Sequence, residues 1–162
     1  DTSVHEYPTS EQMVEIAISA ARVVRLFGFE PKVAFVSHST FGQPLTNRTK
    51  HIRKAVEILK EKKVNFEFDG DMQPDVALNS EYEELYPFSK IVGKANILIM
   101  PGQHSAAISY KMLKTLGDTK VIGPLLIGLG LPVEIAPLRS STSEILNLAS
   151  VAAYSADIIK YD

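Results

Sequence analysis

The chain has 162 residues, 45% of them hydrophobic and 22% charged, and a formal net charge of −2. That is one domain's worth of globular protein with enough apolar material for a sizeable core, and so small a charge gives no electrostatic reason to expect nucleic acid as a partner. Cysteine is absent, which excludes disulfides, thiolate metal sites and a cysteine nucleophile. No apolar run approaches the ~18 residues of a membrane span and no signal peptide is visible, so no membrane partner is expected and a cytoplasmic location is. Because the chain opens on Asp1 and not on methionine, it is expected to be an excised fragment or a processed product.

In chain order, residues 1–8 read as the end of a preceding element, closed by Pro8. Thr9 and Gln12 have the spacing of a capping box, in which each side chain satisfies a free backbone donor. The helix that follows puts Met13, Ile16, Ala17, Ala20, Val24 and Phe27 on one face, and Gly28 stops it. Pro31 leads into a strand over 32–37 with Val33-Ala34-Phe35-Val36 at its centre, and residues 38–44 form a polar loop containing Gly42. A helix over 48–61 buries Ile52, Ala55, Val56 and Leu59. Its first turns carry Arg48, Lys50, His51, Arg53 and Lys54. Cations there oppose the helix dipole by a few tenths to about 1 kcal/mol each. Two readings stand side by side: an anion held by the free amides and the basic side chains, or a solvated basic face that leans away.

Val64-Asn65-Phe66-Glu67-Phe68-Asp69 alternates strictly and is expected to be a half-exposed edge strand. Asp69-Gly70-Asp71 reads as an acidic turn, without the further ligands of a metal loop. Residues 74–85 are weakly helical and acidic, and Pro87 ends them. The apolar run Ile97-Leu98-Ile99-Met100, closed by Pro101-Gly102, reads as a strand buried on both faces. Periodicity then turns helical through Ile108, Met112, Leu113 and Leu116, with His104 and Ser105 opening the helix and Gly117 stopping it. Ligands of open α/β sheets bind beyond the carboxyl ends of the strands, so this corner is expected to wall any site. Residues 121–130 read as another buried strand and 132–135 as a short extended piece. Ser141 with Glu144 makes a second capping box, and the helix it opens runs to about Ala156. That helix is apolar almost all round through Ile145, Leu146, Leu148, Ala149, Val151, Ala152 and Ala153, so another chain or a further segment of this one is expected to cover it. Strand and helix alternate five times, which argues a mainly parallel sheet with helices on both faces.

The commonest nucleotide motifs, GxGxxG after a strand and the Gly-rich loop ending in Gly-Lys-Ser/Thr, are missing, as is a Gly-x-Ser-x-Gly elbow. His5, His38, His51 and His104 lack metal-ligand spacing, and no metal is expected. Residue chemistry alone yields a phosphate-tolerant cleft built from the loop after Ser37, the basic helix start and His104-Ser105. It names no reaction.

Several segments in order resemble the phosphate acetyl/butyryltransferase family: Pro31 through Thr40, Phe68-Asp69-Gly70-Asp71-Met72-Gln73-Pro74-Asp75, Gly93 through Lys111, and Ile122-Gly123-Pro124-Leu125-Leu126-Ile127-Gly128-Leu129. The resemblance implies an α/β fold, a three-layer αβα sandwich with a mainly parallel sheet, similar to isocitrate dehydrogenase, in two domains with a cleft between them. It places residues 1–8 at the end of an element of a truncated first domain, 9–130 in the second domain, and 131–162 in the return segment and helix of the first. Members of the family transfer an acetyl group between coenzyme A and phosphate. They use an Arg that holds the acyl phosphate, a Ser that stabilises developing charge and an Asp that draws the thiol proton. In the matching stretch, Val133 through Glu144, Pro137 stands at the Ser position, Leu138 at the Arg position and Glu144 at the Asp position. Neither a prolyl ring nor a leucyl side chain can stabilise an oxyanion; Arg139 lies one residue over.

Ser39-Thr40-Phe41-Gly42, where the transferases tend to carry Lys before the Gly, and the lost Ser-Arg pair resemble one branch of the family, the transacetylase-like C-terminal domain of the large bacterial NADP-dependent malic enzymes. That resemblance implies a domain without catalytic residues of its own. It would bind acetyl-CoA as an allosteric regulator and support a homo-oligomer, at least a dimer. The NADP and divalent metal of malate decarboxylation would belong to a catalytic region outside this chain. Ser39, Thr40, Arg48, Lys50, His104 and Ser105 are the candidate ligand-binding residues. Two alternatives stay open: an active phosphate acetyltransferase using Arg139 and Glu144 through a shifted loop, and a purely structural dimerisation module.

Overall fold

The computed structural model describes residues 4–117 and 120–159, the last three as backbone only. The expected element at residues 1–8 is therefore seen from residue 4 and the segment 131–162 as far as 159. Helix α1, Ser10–Leu26, opens with the expected capping box: Gln12 N–H donates to Thr9 Oγ1 at 3.2 Å and Thr9 N–H to Gln12 Oε1 at 2.8 Å. Gly28, at φ +82°, turns the chain out of the helix through a left-handed conformation that glycine alone adopts without strain. Three parallel strands, β1 Lys32–Val36, β2 Glu67–Met72 and β3 Ile97–Ile99, form a sheet in the order β2-β1-β3. Between them run α2, Asn47–Glu61, and the short α3, Pro74–Leu78, followed by a 3-10 turn at Ser80–Glu83.

The pleat sorts the side chains. Val33 and Phe35 of β1, Phe68 of β2 and Ile97 and Ile99 of β3 meet Met13, Val14, Ala17 and Ala21 of α1 and Ile52, Ala55, Val56 and Leu59 of α2. Ala34 and Val36 point the other way, to Met72, Ala77 of α3, Ile91 and Ala95. With helices over both faces, the architecture is the three-layer α/β sandwich expected from the strand–helix alternation. Of the predicted face of α1, Ile16, Ala20 and Val24 pack on the core edge while Phe27 stays 45% exposed.

β2 departs from expectation. The strand starts three residues later than its hydrophobic alternation suggests, and every residue after Glu67 is buried. Asp69-Gly70-Asp71 is no turn; it is the middle of the strand. The charges have a structural use: Asp69 Oδ2 accepts Lys90 N–H at 2.8 Å and Glu67 Oε2 accepts Val92 N–H at 3.0 Å, so carboxylates on the edge strand hold a passing segment. The register also slips. Phe35 pairs with Gly70 but Val36 with Met72, leaving Asp71 as the extra residue of a bulge. Because side chains alternate with period two, one inserted residue moves Met72 to the face opposite Phe68.

The expected strand over 121–130 is not formed, and 132–135 is irregular too. Pro124 has no N–H to donate, Gly123 sits at φ +131° and Gly128 at φ +87°. Leu126 N–H is taken by the Glu134 carboxylate at 3.1 Å, not by a neighbouring strand. The apolar run therefore satisfies strand composition without a strand partner. As a result three strands, not five, appear among the described residues.

The chain divides into two compact units, residues 1–109 and 110–162, with the boundary inside α4, Gln103–Leu116. The second unit holds α5, Thr142–Ile159, opened by the expected Ser141–Glu144 box: Glu144 N–H donates to Ser141 Oγ at 3.3 Å and Ser141 N–H to Glu144 Oε2 at 2.8 Å. Leu148 of α5 is buried, while Ile145 and Leu146 are exposed. Among the described residues, no helix is long and apolar enough to cross a membrane.

Candidate functional site

The carboxyl ends of β1 and β2 are locked together by the loop after Val36. Ser37 N–H donates to Met72 O at 2.9 Å, and Ser39 N–H to Ser37 Oγ at 3.0 Å. Gln73 N–H donates to Thr40 Oγ1 at 3.2 Å, and Phe41 N–H to Asp71 O at 2.6 Å. The bulge explains the last bond, since Asp71 is out of the ladder and its carbonyl is available to the loop. Ser39 and Thr40 are thus buried beneath the loop, and Thr40 braces it. Asp71 is fully buried, and neither of its carboxylate oxygens has a hydrogen-bond partner among the described residues; the same holds for Ser39 Oγ. A cluster of unpartnered polar atoms is unusual in a core and gives this strand end a polar floor.

Basic residues at the start of α2 are handled one by one. Thr46 and Thr49 close a capping box, Thr49 N–H donating to Thr46 Oγ1 at 3.2 Å and Thr46 N–H to Thr49 Oγ1 at 2.8 Å. Lys54 pairs with Glu11 of α1 at 3.2 Å. The Arg48 guanidinium lies 5.0 Å from the centre of the Tyr7 ring, a cation–π arrangement. Arg53 folds back against Gly42 in the β1–α2 loop, where a Cβ would come within 2.7 Å of its Nη1. Tyr7, Thr9, Asn47, Arg48, His51 and Pro101 line an open cleft at this helix end. An anion placed there would face a helix N-terminus and a guanidinium. Lys50 is exposed and does not line the cleft.

The start of α4 is covered by the chain itself. Gln103 N–H donates to Glu6 O at 3.2 Å, Ser105 Oγ to Gly102 O at 2.8 Å, and His104 Nε2 is 3.8 Å from Glu6 Oε1. Gly102 has to be glycine for this approach, since a Cβ would sit 2.7 Å from Glu6 O. Arg48 and His104 therefore meet Tyr7 and Glu6, Ser105 is turned back onto Gly102, Ser39 and Thr40 are buried in the β1–α2 loop, and Lys50 stands apart from these groups.

In the second unit, Ser140 N–H donates to Pro137 O at 3.0 Å, so Leu138 and Arg139 form the tip of a turn with both side chains exposed. Glu144 accepts from Lys114 Nζ at 2.7 Å and from the backbone and hydroxyl of Ser141. The Lys114 bond and then the two Ser141 bonds lower its carboxyl to about 2. A carboxylate stabilised to that degree is a weak base near neutral pH, and its contacts are those of a helix cap. The linkage sign follows. The folded pKa lies below the ordinary 4.5, so the contribution of Glu144 to the unit is complete above that value and is lost as pH falls towards about 2. Titration followed by carboxyl NMR is expected to show Glu144 as the late-protonating side chain, with Ser141→Ala and Lys114→Ala each moving its midpoint up; a midpoint near 4.5 in the unmutated chain would contradict these contacts.

Residues 1–153 match the family model described as phosphate acetyl/butaryl transferase. The chain belongs to this family. A phosphotransacetylase from Streptococcus pyogenes superposes with a TM-score of 0.91 at 33% identity, over 98% of this chain and 48% of that one. The NADP-dependent malic enzyme of Rhizobium meliloti is 49% identical over 156 residues, 96% of this chain and 20% of its own length. Phosphate acetyltransferase of Bacillus subtilis is 35% identical over 157 residues, 96% of this chain and 49% of its own length. The chain thus spans about a fifth of the Rhizobium meliloti malic enzyme and about half of the Bacillus subtilis transferase. As a family member it is homologous to a segment of both.

Residue patterns left Asp71 and the surface rings Phe41, Tyr86 and Phe88 out of the candidate set. The signal for Asp71 was its period-two spacing from Asp69 in a strand whose edge carboxylates bind backbone. Nothing local marks Tyr86 and Phe88, which meet Phe41 only through the fold.

Proposed function

We propose that this member of the phosphate acetyl/butyryl transferase family is the non-catalytic, acyl-CoA-sensing and oligomerising domain of an NADP-dependent malic enzyme. The observation that carries the reading is the Pro137–Leu138 turn. Where the family's Ser-Arg pair is expected there is a residue without a donor and a fully exposed leucine, while a malic enzyme is 49% identical over 96% of this chain. In this reading residues 9–130 are the second domain of the transacetylase-like region and 131–162 the return to the first. NADP, the divalent metal and malate oxidation belong to the catalytic region of the parent protein. No group of three His, Asp or Glu side chains among the described residues is placed to hold a metal. Regulation is a matter of linkage: acetyl-CoA shifts the domain arrangement only by its differential affinity for the two states.

Support for phosphate recognition comes from the cleft at the start of α2, with Arg48 over Tyr7. Replacing Arg48 and Lys50 together by alanine is expected to weaken acetyl-CoA binding about tenfold, the scale of one charge-assisted hydrogen bond. Since only Arg48 lines the cleft, Arg48→Ala alone should carry most of the loss. Calorimetry on both variants checks this, and unchanged affinity removes them from the site. The second reading, an active phosphate acetyltransferase, is favoured by Arg139 at the turn beside Leu138 and by the Bacillus subtilis relative; measured acetyl phosphate formation decides for it.

A further inference from the structure

Three aromatic rings meet beside the β1–α2 loop. The Phe41 and Phe88 centroids are 4.8 Å apart, edge to face, Phe41 and Tyr86 are 5.4 Å apart, and Tyr86 and Phe88 6.1 Å. Phe88 is 64% exposed, so the cluster ends in a bare ring at the surface. Phe41 is held at φ +49°, a conformation a bulky L-residue rarely adopts. Its neighbours enforce it: Phe41 N–H is bound to Asp71 O, and Gly42, at φ +84°, leaves room for Arg53. Strained residues over-determined by their surroundings cluster at ligand clamps and other functional sites. Arg53 has no hydrogen-bond, ion-pair or ring partner among the described residues, whereas nearby Lys54 pairs with Glu11 and Arg48 lies over Tyr7. A bare aromatic face with an unneutralised guanidinium against the same loop is the chemistry of a base-and-phosphate ligand.

We propose that Phe41, Tyr86 and Phe88 form a stacking platform for the adenine of an acyl-CoA, with Arg53 meeting one of its phosphates. The proposal rests on the acyl-CoA reading and assigns its nucleotide half to a surface that the six candidate residues do not include. The exposed Phe88 ring supplies the stacking face, Tyr86 and Phe41 fix its tilt, and the bulge at Asp71 holds Phe41 in place.

The test is calorimetric titration of the full-length protein with acetyl-CoA and, separately, with adenosine 3′,5′-bisphosphate, which has the base and phosphates but no thioester arm. Phe88→Ala and Arg53→Ala change exposed side chains, and circular dichroism confirms that both variants fold. Each is expected to weaken both ligands about tenfold, the scale of one stacked base or one charged contact. Phe88→Tyr should restore affinity, and the Arg53→Ala affinity should depend less on salt. Wild-type binding of acetyl-CoA that neither substitution alters overturns the platform and leaves the acyl-CoA reading standing. Binding of the bisphosphate without acetyl-CoA overturns that reading and keeps the platform as a nucleotide site. Binding of neither overturns both. A Phe88→Ala variant with normal affinity but reduced mass in light scattering overturns the platform and gives the rings to a contact between copies.

Discussion

Gly70→Ala is expected to destabilise the first unit by about 3 kcal/mol or more, from overpacking plus a strained backbone. A Cβ at this position would lie 2.6 Å from Phe35 O and 2.8 Å from Phe35 Cβ, and Gly70 itself sits at φ +147°. Neither side can yield easily. Phe35 is in the central strand, hydrogen-bonded to β2 on one side and β3 on the other, and close-packed cores transmit such strain without absorbing it. Because the clashing atoms are a backbone oxygen and a Cβ, Phe35→Leu keeps both and is not expected to rescue the variant. Urea unfolding measures the loss; a change below about 1 kcal/mol would mean the strand relaxes around the new methyl, and the bulge geometry at Asp71 would have to be wrong.

Phe35→Ala is expected to remove about 3–5 kcal/mol, the range for a buried phenylalanine whose cavity cannot collapse. Its ring is fully buried between β1 and the two helices α1 and α2, among Met13, Val14, Ile52 and Leu59. Domains of ordinary stability hold about 5–15 kcal/mol, so the variant should be close to unfolding at room temperature. The midpoint in urea should fall while the slope stays constant, as for a loss of packing without a change in the unfolded chain. Phe68→Ala, at the edge strand and partly reached by solvent, should lose less. Equal losses at the two positions would contradict the central placement of β1.

Much of this fold could be read from local patterns because its elements are locally consistent. Thr9–Gln12 and Ser141–Glu144 cap the helices their spacing announces, and Val33 through Val36 are buried as their apolar run implies, whereas along 97–100 Ile97 and Ile99 are buried and Leu98 and Met100 only partly so. Where reading failed, the missing quantity was a partner. Alternation along residues 64–69 could not reveal that Glu67 and Asp69 would be consumed by the amides of Val92 and Lys90, residues over twenty positions away. Residues 121–130 have the composition of a strand, but composition does not supply the neighbour that a strand requires. The candidate site shows the same division. Arg48 could be picked out because it breaks the helix-dipole rule locally, and the structure gives it a cleft and an aromatic ring. Ser39 and Thr40 read as loop donors, and the structure buries both, whereas Asp71 stands out only through the bulge in its strand.

The proposed function turns on the transfer chemistry. Acetyl transfer needs a group that stabilises the oxyanion, and removal of one such donor typically lowers turnover by ~10²–10³-fold. In the proposed reading Pro137 and Leu138 take the places of two such groups, and the carboxylate of Glu144 is committed to Lys114 and Ser141.

The most direct measurement is titration of acetyl-CoA into the full-length protein by calorimetry, with a phosphate acetyltransferase assay on the same sample. The account predicts saturable binding with no acetyl phosphate formed. Turnover in that assay would contradict it and make Arg139 and Glu144 catalytic; absence of both binding and turnover would contradict it in favour of a purely structural module.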